Sequence, residues 1–129
     1  IDLAKGGDLK HVDLTIADIS HDNVGGLTGE VTASNFGKII DRATNADIAM
    51  GIINLVFQTI GMMAVFASRN EKVKDVVLTG NLANVPQARK IFDELTELFG
   101  VAFHIPEHAE FATAAGAAMV IPGSKTKEI

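Results

Sequence analysis

The chain has 129 residues, 47% of them hydrophobic, and a formal charge of −5. That is enough apolar material for one domain or one lobe of a larger protein, and it argues against global disorder. The 11 Lys and Arg are scattered, against the clustering that nucleic-acid backbones require, and the absence of cysteine excludes disulfides, thiolate metal sites and cysteine nucleophiles.

The chain opens IDLAKGGD, with neither an initiator Met nor a signal peptide. These residues read as the last turn of a helix closed by glycine, so the chain is expected to begin inside an element, as a truncation would. Residues 8–19, DLKHVDLTIADI, mix two periods: Val12, Ile16 and Ile19 have helical spacing, while Leu14 and Ile16 also fit a strand. A short helix capped by Asp8 is expected, with Asp13 and Asp18 on its solvated side. Both aspartates are also candidates as functional carboxylates.

Residues 20–31, SHDNVGGLTGEV, read as a loop rich in Gly, Asn and Asp. His21 beside Asp22 has no further partner at metal-ligand spacing. A helix is expected over 33–42, with Thr32 as N-cap and Phe36, Ile39 and Ile40 as its apolar stripe. Residues 46–69, ADIAMGIINLVFQTIGMMAVFASR, form the longest regular stretch and are apolar nearly all round. The length invites a membrane span. Asn54, Gln58 and Thr59 in the middle, with Gly51 and Gly61, point instead to the buried spine of a domain. Asn54 and Gln58 share a helical face, where they meet each other, a neighbouring loop or a second subunit.

The stretch that organises the rest is DVVLTGNLANVP, residues 75–86. It reads as a buried strand over 75–79, a sharp turn at Gly80 and a helix starting at Pro86. In open α/β sheets, ligands bind in such turns at the carboxyl ends of strands. Thr79, Gly80 and Asn81 are therefore the candidate nucleotide contacts. The same residues also suit an ordinary turn in which glycine does no more than reverse the chain.

Helix 86–99 is strongly patterned, with Ala88, Ile91, Phe92, Leu95, Leu98 and Phe99 on one stripe and Gly100 as terminator. Arg89–Asp93 and Lys90–Glu94 are spaced to pair on its wet face. VAFHI, residues 101–105, is a second strand ended by Pro106, which completes a right-handed parallel βαβ unit. His104 and His108 lack a third ligand at motif spacing, so no metal site is expected. FATAAGAAMV, residues 111–120, is a small-residue helix suited to close packing, and PGSKTKEI a frayed tail.

NLVFQTIGMMAVFA, DVVLTGNLANVPQARKIF and HAEFATAAGAAM, in this order, resemble the C-terminal half of bacterial type II pantothenate kinases. LTGEVTASNFGKI and KGGDLKHVDLTIADI extend the resemblance over nearly the whole chain. It implies an α/β lobe of the ribonuclease-H-like, actin-like ATPase type, with a parallel βαβ unit and a long buried helix. On that reading residues 1–129 are a single lobe: a helical and loop lead-in over 1–31, a core over 32–121 and a tail over 122–129.

The resemblance further implies a cytoplasmic homodimer that moves the γ-phosphoryl of ATP, with Mg2+, to the hydroxyl of pantothenate, the first step towards coenzyme A. Neither nucleic acid nor a membrane is an expected partner. Gly80 and Asn81 map onto the family's turn over the adenosine end of ATP. Many relatives carry serine at the position of Asn81, and either side chain can hydrogen-bond a nucleotide. The family's phosphate loops, catalytic carboxylate and pantothenate contacts have no counterpart here, so no catalytic residue is assigned and the 129 residues alone are expected to be inactive. Two alternatives remain: a sugar or N-acetylsugar kinase of the same superfamily, and a non-catalytic dimerisation or regulatory module.

Overall fold

The structure is a computed structural model that describes residues 1–21 and 25–120. The chain divides into two compact units, Ile1–Met63 and Ala64–Ile129. The expected tail over 122–129, and Asp22, lie outside the described residues.

In the first unit, the start forms a 3-10 turn at Asp2–Ala4, followed by Gly6 at φ 81°. The single helix expected over 8–19 is not formed. Asp8 does cap, but only a 3-10 turn, Leu9–His11, by accepting from the Lys10 N–H at 2.9 Å. Strand β1 follows at Leu14–Thr15, then the one-turn helix α1 at Ile16–Ile19. Thr15 and Asp18 cap α1 reciprocally: the Asp18 carboxylate accepts from both the Thr15 N–H and its hydroxyl at 2.8 Å. Two local caps in twelve residues outcompete one continuous helix.

The helix expected over 33–42 is also absent. Thr32–Ser34 is strand β2, antiparallel to β1 with an irregularity in register. Thr32 caps nothing; its hydroxyl donates to Asp13 Oδ2 at 3.3 Å. Phe36 is left-handed at φ 53° and gives its N–H to Asp13 Oδ1 at 2.8 Å, so a right-handed helix cannot pass through it. Residues 38–40 then run back along the first turn, with the Lys38 and Ile40 N–H groups bonding the Val12 and His11 carbonyls.

Helix α2 spans Asn45–Glu71. The Thr44 hydroxyl and backbone N–H donate to Asp47 at 2.9 and 2.7 Å, which fixes its start. Asp47 also accepts from the Asp8 N–H at 2.7 Å and from His11 Nδ1 at 3.1 Å. The buried-spine expectation holds for one stripe only. Asp47, Gly51, Asn54, Phe57 and Gly61 are buried, and Val65 and Ser68 continue the spacing in the second unit. Ile52, Met63 and Phe66 are exposed at 51%, 67% and 58%. By length and composition α2 could also cross a membrane. Gly51 allows close packing: a Cβ there would lie 2.8 Å from the Phe36 ring and 3.0 Å from Val12.

In the second unit, β3 (Asp75–Val77) pairs in parallel with β4 (Ala102–His104), and α3 (Pro86–Phe99) forms the crossover. The strand–helix–strand order is as expected, but each strand is shorter than the sequence suggests and β3 is not the buried strand expected: Val76 is half-buried and Val77 is 62% exposed. Ala88, Ile91, Phe92 and Leu95 are buried on α3, and the Phe92 and Phe103 rings stack 5.0 Å apart. Gly100 ends α3 in the left-handed region at φ 66°. Helix α4, Ala112–Val120, has no buried residue and nothing within 4 Å of a Cβ at Gly116, so the expected close packing is not made among the described residues.

Candidate functional site

The candidate corner lies between β3 and a 3-10 turn at Asn81–Asn84. Three residues past the end of β3, Gly80 takes φ 95°, a conformation that side chains resist, and a Cβ there would meet nothing within 4 Å. The glycine thus serves backbone conformation and open approach, not packing. Thr79 and Asn81 are exposed and Gly80 is half-buried. The three predicted residues sit consecutively at the carboxyl end of β3.

A second turn, Ala109–Phe111, holds the corner from below. The Gly80 N–H donates to the Ala109 carbonyl at 2.8 Å, and the Ala83 N–H to the Gly80 carbonyl at 3.1 Å. Asn84 Nδ2 donates to Glu110 Oε2 at 2.8 Å. That hydrogen bond, ahead of Glu110's other contacts, holds its carboxyl below the usual range. His108 enters this turn in the left-handed region at φ 58°. Sequence reading missed Asn84 and Glu110, since two polar residues 26 positions apart leave no local signal.

A separate cleft of about 250 Å³ is lined by Ala64, Ala67, Ser68, Glu71, Val73 and Val76, and none of the three candidates borders it. His104 Nε2 meets Asp75 Oδ1 at 2.8 Å across the strand pair, and His108 is 3.6 Å from Glu107. Among the described residues no group of three or more acidic or histidine side chains could hold a metal ion. Mg2+ is therefore not assigned to any of the described residues.

The first unit holds a polar cluster of a different kind. Asp13, expected on a solvated face, is fully buried. It accepts from the Phe36 N–H, from Thr32 and, at 2.8 Å, from Asn54 Nδ2. Asn54 also reaches Asn35 Oδ1 at 3.2 Å, and Asn35 Nδ2 donates to Gln58 at 2.9 Å. Of the three partners open to Asn54 and Gln58, the neighbouring loop is the one taken. The clue was Asn54 itself, a polar residue inside an otherwise apolar helix. Asp18 is partly exposed; the Lys38 ammonium, then the Thr15 N–H, lower its pKa to about 2.

The sequence model of the Fumble family matches residues 1–119. The chain belongs to the Fumble family. Type II pantothenate kinases of Staphylococcus haemolyticus and Staphylococcus epidermidis are 30% and 32% identical to it over 120 residues. The Staphylococcus aureus protein of that name is 28% identical over 121 residues. These alignments take in 89–90% of this Fumble-family chain but 45% of each relative, so the chain spans about half the length of the curated relatives it matches.

Proposed function

We propose that this chain forms the adenosine side of the ATP cleft in a cytoplasmic pantothenate kinase, within an actin-like ATPase lobe. The observation that carries this reading is the Gly80 corner: a bare, positive-φ peptide at the end of a parallel strand, open to solvent, in a chain of the Fumble family. A nucleoside can approach the backbone there more closely than at any residue with a Cβ. Asn81 supplies a side-chain hydrogen bond, and Thr79 borders the same edge.

The reaction is transfer of the γ-phosphoryl of ATP to the hydroxyl of pantothenate, the first step towards coenzyme A. It requires a phosphate cradle and a group that positions the nucleophile. The residues at this corner bind and orient the nucleotide and do no proton chemistry, so the 129 residues alone do not turn over ATP. The exposed apolar residues of α2 in the first unit, Ile52 and Met63, support a subunit contact in a homodimer.

Titrating the full-length protein with a fluorescent ATP analogue tests the reading. Asn81→Ala is expected to weaken binding about tenfold, the loss of one hydrogen bond to a charged or polar ligand, with the melting temperature unchanged. Unchanged affinity overturns the site.

A further inference from the structure

We propose that Asn84 and Glu110 are positioning residues that latch the nucleotide corner in its binding orientation; the role rests on the nucleotide reading of Gly80 and Asn81. The Asn81–Asn84 turn is anchored at both ends to the Ala109–Phe111 turn. At one end the Gly80 N–H bonds the Ala109 carbonyl, and at the other the Asn84 amide bonds the Glu110 carboxylate, both at 2.8 Å. Asn81 lies between the two anchors. Without the second anchor, only the Gly80 bond and the packing of the two turns hold this stretch, and the Asn81 side chain gains freedom. Two anchors fix the direction of its side chain before a ligand arrives, which lowers the entropic cost of binding.

Burial supports this division of labour. The two turns pack against each other, and Ala83 on one and Ala109 on the other are buried, at 8% and 1% exposure. The Asn84–Glu110 bond lies outside that contact, in solvent. An exposed polar pair adds little to folding stability, so its contribution is to orientation.

The test uses the full-length protein, with the Kd of the ATP analogue and the steady-state KM and kcat as readouts. Glu110→Ala is expected to raise the Kd and the KM for ATP about fivefold, while kcat and the KM for pantothenate stay within about twofold. Glu110→Gln retains an acceptor for Asn84 and is expected to restore wild-type values. Asn84→Ala should match Glu110→Ala, and the double variant should be no worse than either single, because one bond is lost in each case. A wild-type Kd in Glu110→Ala overturns the latch, as does a Glu110→Gln variant as weak as Glu110→Ala. A lower melting temperature with unchanged Kd and KM also overturns it, since the pair would then be structural. Asn81→Ala separates the two readings. If it weakens binding and Glu110→Ala does not, the latch alone fails; if it binds as wild type, the nucleotide corner fails and takes the latch with it.

Discussion

Two of the polar clusters among the described residues are used in opposite ways. Around Asp13 in the first unit, a carboxylate, two asparagines, a threonine hydroxyl and a backbone N–H are bonded to one another, with Asp13 and Asn54 buried and the rest half-buried. At Gly80 in the second unit, backbone and side chains face solvent, and the bonds that exist hold the corner from behind. The first cluster has spent its hydrogen-bonding capacity on the fold. The second keeps capacity for a ligand. Counting polar residues would rate Asp13 and Asn54 the better site; burial and partners reverse that ranking.

The sharpest test of the contrast is Asp13→Ala. It removes the buried acceptor of the Asn54 amide and the partner of the half-buried Phe36 N–H, with an expected loss of about 2–3 kcal/mol in urea denaturation. Asn81→Ala should cost no measurable stability. Equal losses in the two variants would erase the distinction.

The glycines offer a second comparison. Gly51→Ala drives a methyl into the Phe36 ring, so overpacking is expected to cost about 1–3 kcal/mol by the same measurement. At Gly80 the space is open and only the positive φ resists a side chain. A neutral Gly51→Ala would show that the Phe36 contact is loose and that α2 is not pinned there.

Acid should weaken the first unit through two carboxylates. The Asp8 and Thr44 N–H groups hold the Asp47 carboxyl well below its ordinary range, and Lys38 with Thr15 lowers Asp18 to about 2. Both folded values are depressed. The stability they provide is therefore complete above the unfolded value of about 4 and is lost as pH falls from there towards 2. Thermal melts between pH 5 and 2 should show this slope, and Asp47→Asn should flatten it. A slope unchanged in that variant would assign the acid sensitivity elsewhere.

The smallest effect is expected on the wet face of α3. Lys90 and Glu94 are 3.8 Å apart and exposed, so Lys90→Ala should move stability by a few tenths of a kcal/mol at most. A larger change would mean that the exposed polar pairs of the second unit, Asn84–Glu110 among them, do more for folding than argued above.

The second unit was largely legible in the sequence because its signals are local. The stripe from Ala88 to Leu95, Pro86 at the start and Gly100 at the end each act within one helix. Gly80 was legible as a turn for the same reason. The stretch from 8 to 42 was misread because its decisive partner is distant: Asp13 takes the N–H of Phe36, 23 residues on, and replaces an expected helix with strand and loop. The apolar run of α2 showed that a helix would form, yet not which side would be covered.

Composition and periodicity alone determined α2, α3, the parallel strand pair and the glycine turn between them, since propensity, capping and apolar spacing are properties of neighbouring residues. Tertiary structure decided that Asp13 is buried, that half of α2 is bare, and that Glu110 meets Asn84 beneath the corner. Those outcomes depend on which backbone groups find partners across long loops, and a carboxylate is stable in a core only where such donors converge on it.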